Sequence, residues 1–461
     1  MKNIFLIVFC LLVSTVWAKE EKNKRIQYCT TLEEAMQQAA RKHKPIFFNC
    51  YAGWAGPSVL MDSVVLTDPD LVSFIQKHFV SLRVDMPKTQ EGRKLAERYR
   101  VKFYAHYLIL DEKVALMDTV DTRGVEQWEK NLLAALDGRK VDYLVVSHLE
   151  PDHAGSIGRL VELFPEVTLV GNAKTFQMLP QFFDELPVDE NHKITVAEGE
   201  SLSLGTHTLN FYMAPMVHWP EVMVTYESSE KILFSADGFG KFGALDYEDP
   251  EGWACEARRY YFNIVGKYGA PVQALLKKAA GLDIQTICPL HGPVLNENLG
   301  YYIGLYDTWS SYKPEDKGVL VAYASIHGNT AKAARKFAEM LRAKGVEKVS
   351  VMDLSRDDMA EVVEDAFRYD RMVLAAASYD GGVFPCMQDF LHHLQSKAFQ
   401  NRTVGIIENG TWGPTAGRTM KGILETMKNI TIVEPMVTIR SAMKESDLPA
   451  MEALADVIAN A

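Results

Sequence analysis

The stretch "VDYLVVSHLEPDHAG", residues 141–155, joins an apolar run to a loop crowded with groups that can bind a metal. The β-branched run predicts a buried strand that ends near Ser147. Beyond it, alternate positions of an extended backbone place His148, Glu150 and Asp152 toward one side. Imidazole nitrogens and carboxylate oxygens together suit iron, zinc or manganese. The stretch therefore predicts a metal site at the end of a strand.

Three further candidate ligands follow apolar runs later in the chain: His218 in "APMVHWP", Asp237 in "LFSADGFG" and His291 in "CPLHGP". Taken singly, a histidine after a strand is usually an ordinary loop or core residue, and an aspartate before glycine usually forms a turn. Their repeated position at strand ends favours one convergent site, in which a carboxylate can bridge two ions. The absence of cysteine from the set disfavours a structural zinc site.

The first residues, "MKNIFLIVFCLLVSTVWA", are typical of a secretory signal peptide cut after Ala18, with a buried strand or helix as the alternative. They predict an exported, periplasmic protein, or a cytoplasmic one if the N-terminal fusion is an artefact. The 461 residues predict several domains, and the net charge of -11 argues against a nucleic-acid partner.

Three blocks follow residues 1–18. Residues 24–104 mix helix and strand patterns, such as "TLEEAMQQAARKHK" and "PIFFNCYA". Residues 105–312 hold short β-branched runs broken by Gly, Pro and Asn. Residues 317–461 follow the polar linker "SYKPEDKG" and alternate strands with helices. That alternation predicts a doubly wound parallel sheet, so the whole chain is expected to be an α/β and α+β multidomain protein.

The middle block resembles the metallo-β-lactamase fold, an αββα sandwich whose ligand loop commonly reads H-x-H-x-D-H. Here Glu150 occupies the third position, and "HLEPDHAG", "APMVHWPEVMVTY" and "CPLHGPV" resemble the flavodiiron proteins. Those enzymes reduce dioxygen to water, nitric oxide to nitrous oxide, or both. The resemblance runs from about Tyr104 to the C-terminus and implies a sandwich that is truncated at its N-terminal side.

The resemblance also implies that the six candidate ligands hold two irons. The first iron takes His148, Glu150 and His218, the second takes Asp152 and His291, and Asp237 bridges them. His153 matches a position that ligates in some members only, and its role stays open. A carboxylate in place of an imidazole suits iron over zinc.

The third block resembles a flavodoxin. Its loop "SIHGNT" opens a helix, where backbone N–H groups favour a phosphate, and two more loops follow predicted strands. Tyr379 and Trp412 could flank the isoalloxazine ring of FMN. The predicted FMN-binding residues are Ser325, Ile326, His327, Gly328, Asn329, Thr330, Ser378, Tyr379, Asp380, Gly381, Gly382, Asn409, Gly410, Thr411, Trp412 and Gly413.

A flavin combined with a diiron centre implies that electrons pass from FMN to iron. By the same resemblance the electrons come from an external donor, a rubredoxin or a flavin reductase. The family also implies a head-to-tail homodimer or a dimer of dimers, which brings the flavin of one subunit to the irons of the other.

Residues 24–104 resemble a thioredoxin-like segment without the two redox cysteines, since Ala55 and Ser58 occupy their places in "WAGPS". We expect no disulfide exchange at this motif. Cys29 and Cys50 could pair in an oxidising compartment. The run "FYAHYLILDE" fits a late strand of this segment or an early strand of the next block. In a genuine fusion the two partial sheets would share strands or cover each other's edges. Alternatively, the join is an accident of recombination or sequence assembly.

Two other functions stay open from the sequence. A zinc-dependent hydrolase of the metallo-β-lactamase type would bind zinc and no flavin, but Glu150 and the flavodoxin-like block argue against it. A non-catalytic flavodoxin-like electron carrier would have a metal site that no longer works, because the N-terminal strands of the sandwich are missing. The sequence does not decide between dioxygen and nitric oxide as the substrate.

Overall fold

The computed structural model describes residues 25–42, 44–99, 101–110, 113–184, 186–246 and 251–461. The predicted signal peptide, residues 1–18, lies outside these ranges. The chain divides into two compact units, Met1–Lys113 and Val114–Ala461. Within the described part of the chain, every helix is too short or too weakly apolar to cross a bilayer.

The first unit is a four-stranded sheet with helices, in the strand order β1-β3-β2-β4. Its strands are parallel except β4, which runs antiparallel to β2. The elements are β1 (Tyr28–Cys29), α1 (Leu32–Lys42), β2 (Ile46–Tyr51), α2 (Gly56–Ser63), α3 (Pro69–His78), β3 (Val80–Asp85), α4 (Gln90–Arg98) and β4 (His106–Leu110).

The ambiguous run "FYAHYLILDE" contributes its strand to this first unit. Leu110 pairs with Ile46, and its side chain is buried in the same core as Phe48. The division of the chain after Lys113 therefore lies beyond the predicted boundary at residue 104. The following strand, β5 (Ala115–Met117), pairs with a strand of the second unit.

Cys29 and Cys50 are buried and free, so they form no disulfide with each other. Burial raises the pKa of Cys50 to about 12, which keeps its thiol protonated at neutral pH. Ala55 and Ser58 occupy the places of the two redox cysteines of a thioredoxin. Ala55 directly precedes α2, and Ser58 is buried. The lack of disulfide exchange at this motif stays a prediction.

The second unit begins with two sheets that pack face to face. The parallel sheet has the order β5-β6-β7-β8, and the mixed sheet has the order β13-β12-β11-β10-β9. Val145 and Val170 of the first sheet share a buried cluster with Phe211 and Met223 of the second. The strands are β6 (Tyr143–Val145), β7 (Thr168–Gly171), β8 (Lys193–Thr195), β9 (Ser201–Ser203), β10 (Thr208–Met213), β11 (Met223–Glu227), β12 (Ile232–Phe234) and β13 (Thr286–Cys288).

Helices cover the outer faces of these sheets, which completes the predicted αββα layering. One of them begins at a side-chain cap, because Asn172 accepts hydrogen bonds from the backbone N–H groups of Lys174 and Thr175. The helices are α5 (Val125–Leu136), α6 (Pro151–Ala154), α7 (Ile157–Leu163), α8 (Ala173–Met178), α9 (Trp253–Tyr260), α10 (Gly269–Ala279) and α11 (Leu299–Ser310).

The rest of the second unit forms a seven-stranded sheet with the main order β15-β14-β16-β18-β19, whose main strands are all parallel. Helices cover both faces, so the predicted doubly wound sheet is confirmed. The elements are β14 (Asp316–Ala324), α12 (Asn329–Ala343), β15 (Val349–Asp353), α13 (Met359–Arg368), β16 (Tyr369–Tyr379), β17 (Gly382–Val383), α14 (Pro385–Ser396), β18 (Arg402–Asn409), α15 (Ala416–Leu424), β19 (Ile430–Ile432), β20 (Val437–Ile439) and α16 (Leu448–Asn460).

A shared core joins the sandwich to the doubly wound sheet. Phe262 stacks on Phe367 of α13 with ring centroids 4.2 Å apart. Beside this stack, the buried guanidinium of Arg258 donates to Glu315 through Nε at 2.8 Å and also contacts Glu364. Since a buried charge is costly without a partner, this ion-pair cluster fixes how α9 sits on α13.

Gly92 of α4 offers a test of packing in the first unit. A Cβ atom there would lie 2.6 Å from the carbonyl oxygens of Asp85 and Met86. We expect Gly92→Ala to destabilise this unit by about 1–3 kcal/mol, because the backbone of β3 would have to move. Hydrogen exchange of the β2 and β3 amides, followed by mass spectrometry, reports this unit separately from the second.

Gly56→Ala is the matched control, because its Cβ would meet no atom within 4 Å. Equal exchange rates in the two variants would contradict the packing argument.

Candidate metal centre and flavin pocket

The six predicted metal ligands converge at one end of the sandwich. His148 and Glu150 follow β6 of one sheet, whereas Asp237 and His291 follow β12 and β13 of the other. His218 lies in the turn before β11. Because these strand ends meet at the same edge, residues far apart in sequence become neighbours.

The ligating atoms form two groups, and within each group they lie within 4.8 Å of one another. The first group contains His148, Glu150, His218 and Asp237, and the second contains Asp152, His153 and His291. In the first, His218 Nε2 lies 3.0 Å from Glu150 Oε2, and in the second, His291 Nε2 lies 3.0 Å from Asp152 Oδ2.

Asp237 connects the two groups through its two carboxylate oxygens. Oδ2 lies 3.6 Å from His148 Nε2 and 3.3 Å from His218 Nε2. Oδ1 lies 3.5 Å from His291 Nε2 and 3.7 Å from His153 Nε2. One oxygen therefore faces each group, which is the arrangement a bridging carboxylate needs.

Several of these atoms are buried without a hydrogen-bond partner, among them His148 Nε2, His153 Nε2, Asp152 Oδ1 and both oxygens of Asp237. Each unsatisfied polar atom costs about 1–3 kcal/mol. Two cations would satisfy all of them at once, so the donor set fits a binuclear metal centre. Nitrogen and carboxylate donors without thiolate suit iron.

The electrostatics of the site keep its carboxylates ionised. The neighbouring imidazoles of His148 and His218 hold the pKa of Glu150 well below its usual range. Burial opposes ionisation of Asp237, but His218 and the neighbouring imidazoles outweigh it and lower the pKa of that carboxyl. Both side chains are therefore ready to bind a cation at neutral pH.

The expectation of an extended backbone from His148 to Asp152 is wrong for the second half of the ligand loop. Pro151 starts the short helix α6, since proline fits the first helical position. The helical turn carries Asp152 and brings His153 inward as well, where its side chain is 4% exposed. His153, whose role the sequence left open, thus joins the second group.

Sequence reasoning missed Glu221, which holds His148 in place. His148 Nδ1 donates to Glu221 Oε1 at 2.6 Å, and the backbone N–H of Leu149 donates to the same oxygen at 2.9 Å. This bond fixes the tautomer that leaves Nε2 free for a metal. A carboxylate in the otherwise apolar run "PEVMVTY" was the available signal.

Tyr260 was also missed. Its ring centroid lies 5.4 Å from that of His291, and its side chain is buried. Burial and the nearby charge of Asp237 raise the pKa of Tyr260 well above its ordinary value. The phenol therefore keeps its proton next to the metal ligands.

The predicted flavin loops surround a pocket of about 310 Å³. Every predicted FMN-binding residue lines it except Gly328 and Gly382, and Ala377, Thr415 and Ser441 line it as well. Gly328 has φ of 85°, a conformation that favours glycine, and its N–H donates to Ser325 Oγ at 3.1 Å. It shapes the turn before α12 instead of lining the pocket.

The pocket fits a flat aromatic phosphate ester. Ser378 Oγ accepts hydrogen bonds from the backbone of Thr415 at 2.8 Å and Ala416 at 3.1 Å, which ties two of the loops together. Tyr379 and Trp412 stand at the rim, and the side chain of Trp412 is 93% exposed. A flat ligand ring packed against Tyr379 and Trp412 would remove the apolar surface of both side chains from water, which favours binding.

Comparisons with family models agree with this architecture. The model of the ODP family beta lactamase matches residues 103–292, and a thioredoxin-like model matches residues 27–112. The nitric oxide reductase of Moorella thermoacetica is 31% identical over 361 residues, which cover 76% of this chain and 88% of that relative.

Solved structures give the same picture. The rubredoxin oxygen:oxidoreductase of Desulfovibrio gigas is 26% identical with a TM-score of 0.69, and the match covers 77% of this chain and 89% of that one. The flavodiiron protein of Giardia intestinalis has a TM-score of 0.68 at 22% identity, over 77% of this chain and 88% of that one, a likeness that shows the fold alone.

Glu221→Gln tests how His148 is held. The amide keeps the size of the side chain but removes the charge that supports the imidazole, so we expect divalent metal to bind about 10–100-fold more weakly. Titration of cobalt(II) into metal-free protein, followed by visible absorbance, measures the affinity.

Glu166→Gln is the control for that titration, because the Glu166 side chain is 85% exposed and its ion pair is with Lys140 at the surface. An unchanged cobalt affinity in Glu221→Gln would show that this bond does not support the metal centre.

Proposed function

The chain belongs to the flavodiiron protein family, and from this premise we propose that it reduces dioxygen to water or nitric oxide to nitrous oxide. One observation carries the proposal: the two oxygens of Asp237 face two separate groups of imidazole and carboxylate donors. Two metal ions held by these residues would bind and polarise a small diatomic substrate. The relatives' names, nitric oxide reductase and rubredoxin oxygen:oxidoreductase, support both substrates.

The cofactors of this family are FMN and a diiron centre, and the residues present fit both. His148, Glu150 and His218 would hold one iron, and Asp152, His153 and His291 the other, with Asp237 between them. When bound, FMN and iron would supply the one-electron redox chemistry of both reductions.

The side chains around the centre have roles of their own. Trp219 packs edge-on against His148, with centroids 4.9 Å apart, and Phe182 stacks on Trp219 at 6.2 Å. These rings restrict access of water to the imidazole and its hydrogen bond with Glu221. Tyr260 holds a proton on its phenol oxygen beside Asp237, and both proposed reductions consume protons.

Electrons would come from an external donor of the rubredoxin or flavin reductase type. The exposed rim of the flavin pocket, with Trp412 and Tyr379, gives such a donor access. We further propose a head-to-tail homodimer or a dimer of dimers, in which the flavin of one subunit serves the metal centre of the other. Export through residues 1–18 stays a prediction.

The convergence of the ligands argues against the two alternatives. An electron carrier with a crippled metal site would not need buried ligand atoms that lack other partners. For a zinc hydrolase the flavin pocket would have no role. We therefore keep a single proposed function.

A single-turnover experiment tests this proposal. Chain reconstituted with FMN and ferrous iron is reduced without oxygen and mixed with dioxygen or nitric oxide in turn. We expect consumption of at least one gas, with two irons and one FMN per chain by metal and flavin analysis. In the protein as purified, before reconstitution, zinc without flavin would instead favour the hydrolase, and flavin without metal would favour the carrier.

Asp237→Asn should lose gas consumption and metal while it retains FMN, because the flavin pocket lies on other elements. Asp283→Asn is its control, since the Asp283 side chain is 70% exposed and pairs with Lys231. Full gas consumption by Asp237→Asn would contradict the assigned role of the bridging carboxylate.

A further inference from the structure

A small apolar cavity lies directly behind two of the ligand loops. Its volume is about 30 Å³, and its walls come from α10, from β10 to β12, and from the residues next to the metal ligands. Val217 lines it and precedes His218, while Gly238 lines it and follows Asp237. Residues next to two of the metal ligands therefore form part of the cavity wall.

The polar side chains nearest to the ligand loops are already engaged inside the protein. Ser235 Oγ donates to the carbonyl of Gly238 at 2.6 Å, and the hydroxyl of Tyr306 accepts from the backbone N–H of Phe239 at 2.6 Å. A buried water needs two to four polar partners, and an almost wholly apolar surface does not offer them. The cavity favours an apolar occupant over water.

The size of the cavity limits that occupant. One water needs roughly 10–15 Å³ of such space, whereas pockets for organic ligands reach roughly 300–1,000 Å³. The observed volume leaves room for a diatomic molecule and excludes an organic substrate. Neutral dioxygen and nitric oxide are small, weakly polar and poor hydrogen-bond partners, so they fit both the size and the lining.

We propose that this cavity binds the gaseous substrate, dioxygen or nitric oxide, and delivers it to the metal centre. The inference rests on the proposed function and adds a second, metal-free binding site to it. Gas that partitions into the cavity from water is held beside His218 and Asp237, which raises its local concentration there. Movement of the Val217 or Phe239 side chain would open the short remaining path.

Ala279 offers the means to block the cavity, because it lies on α10 and lines the cavity wall. Ala279→Phe would fill the space, and Ala279→Leu would fill it with less risk to folding. Ala274→Phe is the matched control: it makes the same change on the same helix, at an exposed position that is not part of the lining.

Xenon binding tests the site independently of activity, since xenon enters apolar cavities. Crystals of the FMN- and iron-loaded protein are pressurised with xenon, and anomalous diffraction locates it. We expect xenon in the cavity of the wild type and of Ala274→Phe, and none in Ala279→Phe or Ala279→Leu. No xenon in the wild type, or equal xenon in all four proteins, overturns the proposal.

Gas kinetics test delivery. In Ala279→Phe and Ala279→Leu we expect kcat/KM for the gas to fall by about tenfold, with kcat at saturating gas and the rate of flavin reduction unchanged. Unchanged kcat/KM in both, with the cavity shown to be filled, overturns the delivery role. If the wild type consumes neither gas, the proposed function fails, while xenon in the cavity still supports the binding site.

Discussion

The metal centre depends on one buried carboxylate that lacks a protein hydrogen bond. Asp237 is fully buried, and its two oxygens point at imidazoles that come from opposite sheets of the sandwich. A carboxylate in this position is costly without cations, because burial removes its water and no protein N–H replaces it. The packing of the two sheets sets this cost, and two metal ions offset it. Folding of the sandwich and metal binding are therefore energetically coupled.

The flavin part is linked to that arrangement through α9. Arg258 on this helix reaches Glu315 and Glu364, and Tyr260 at its end contacts the metal ligands. The helix that orients the doubly wound sheet on the sandwich thus also forms a wall of the metal centre.

Sequence reasoning could predict the ligands because each follows a strand of recognisable pattern, as His148 and Asp237 do. It could also predict the flavin loops, since the carboxyl ends of parallel strands meet at one edge. It could not find Glu221 or Tyr260, whose roles depend on which residue of another element they touch. The expectation of an extended backbone through Asp152 was wrong, since Pro151 starts α6. The pairing of β4 with β2 was left open, because only tertiary contacts decide between the two possible sheets.

The most direct test of this account is anomalous diffraction at the iron edge from crystals of the iron-loaded protein. Two iron peaks are predicted, one on each side of Asp237, with His148, Glu150 and His218 around one and Asp152, His153 and His291 around the other. A single peak, or metal bound without contact to Asp237, would contradict the central claim.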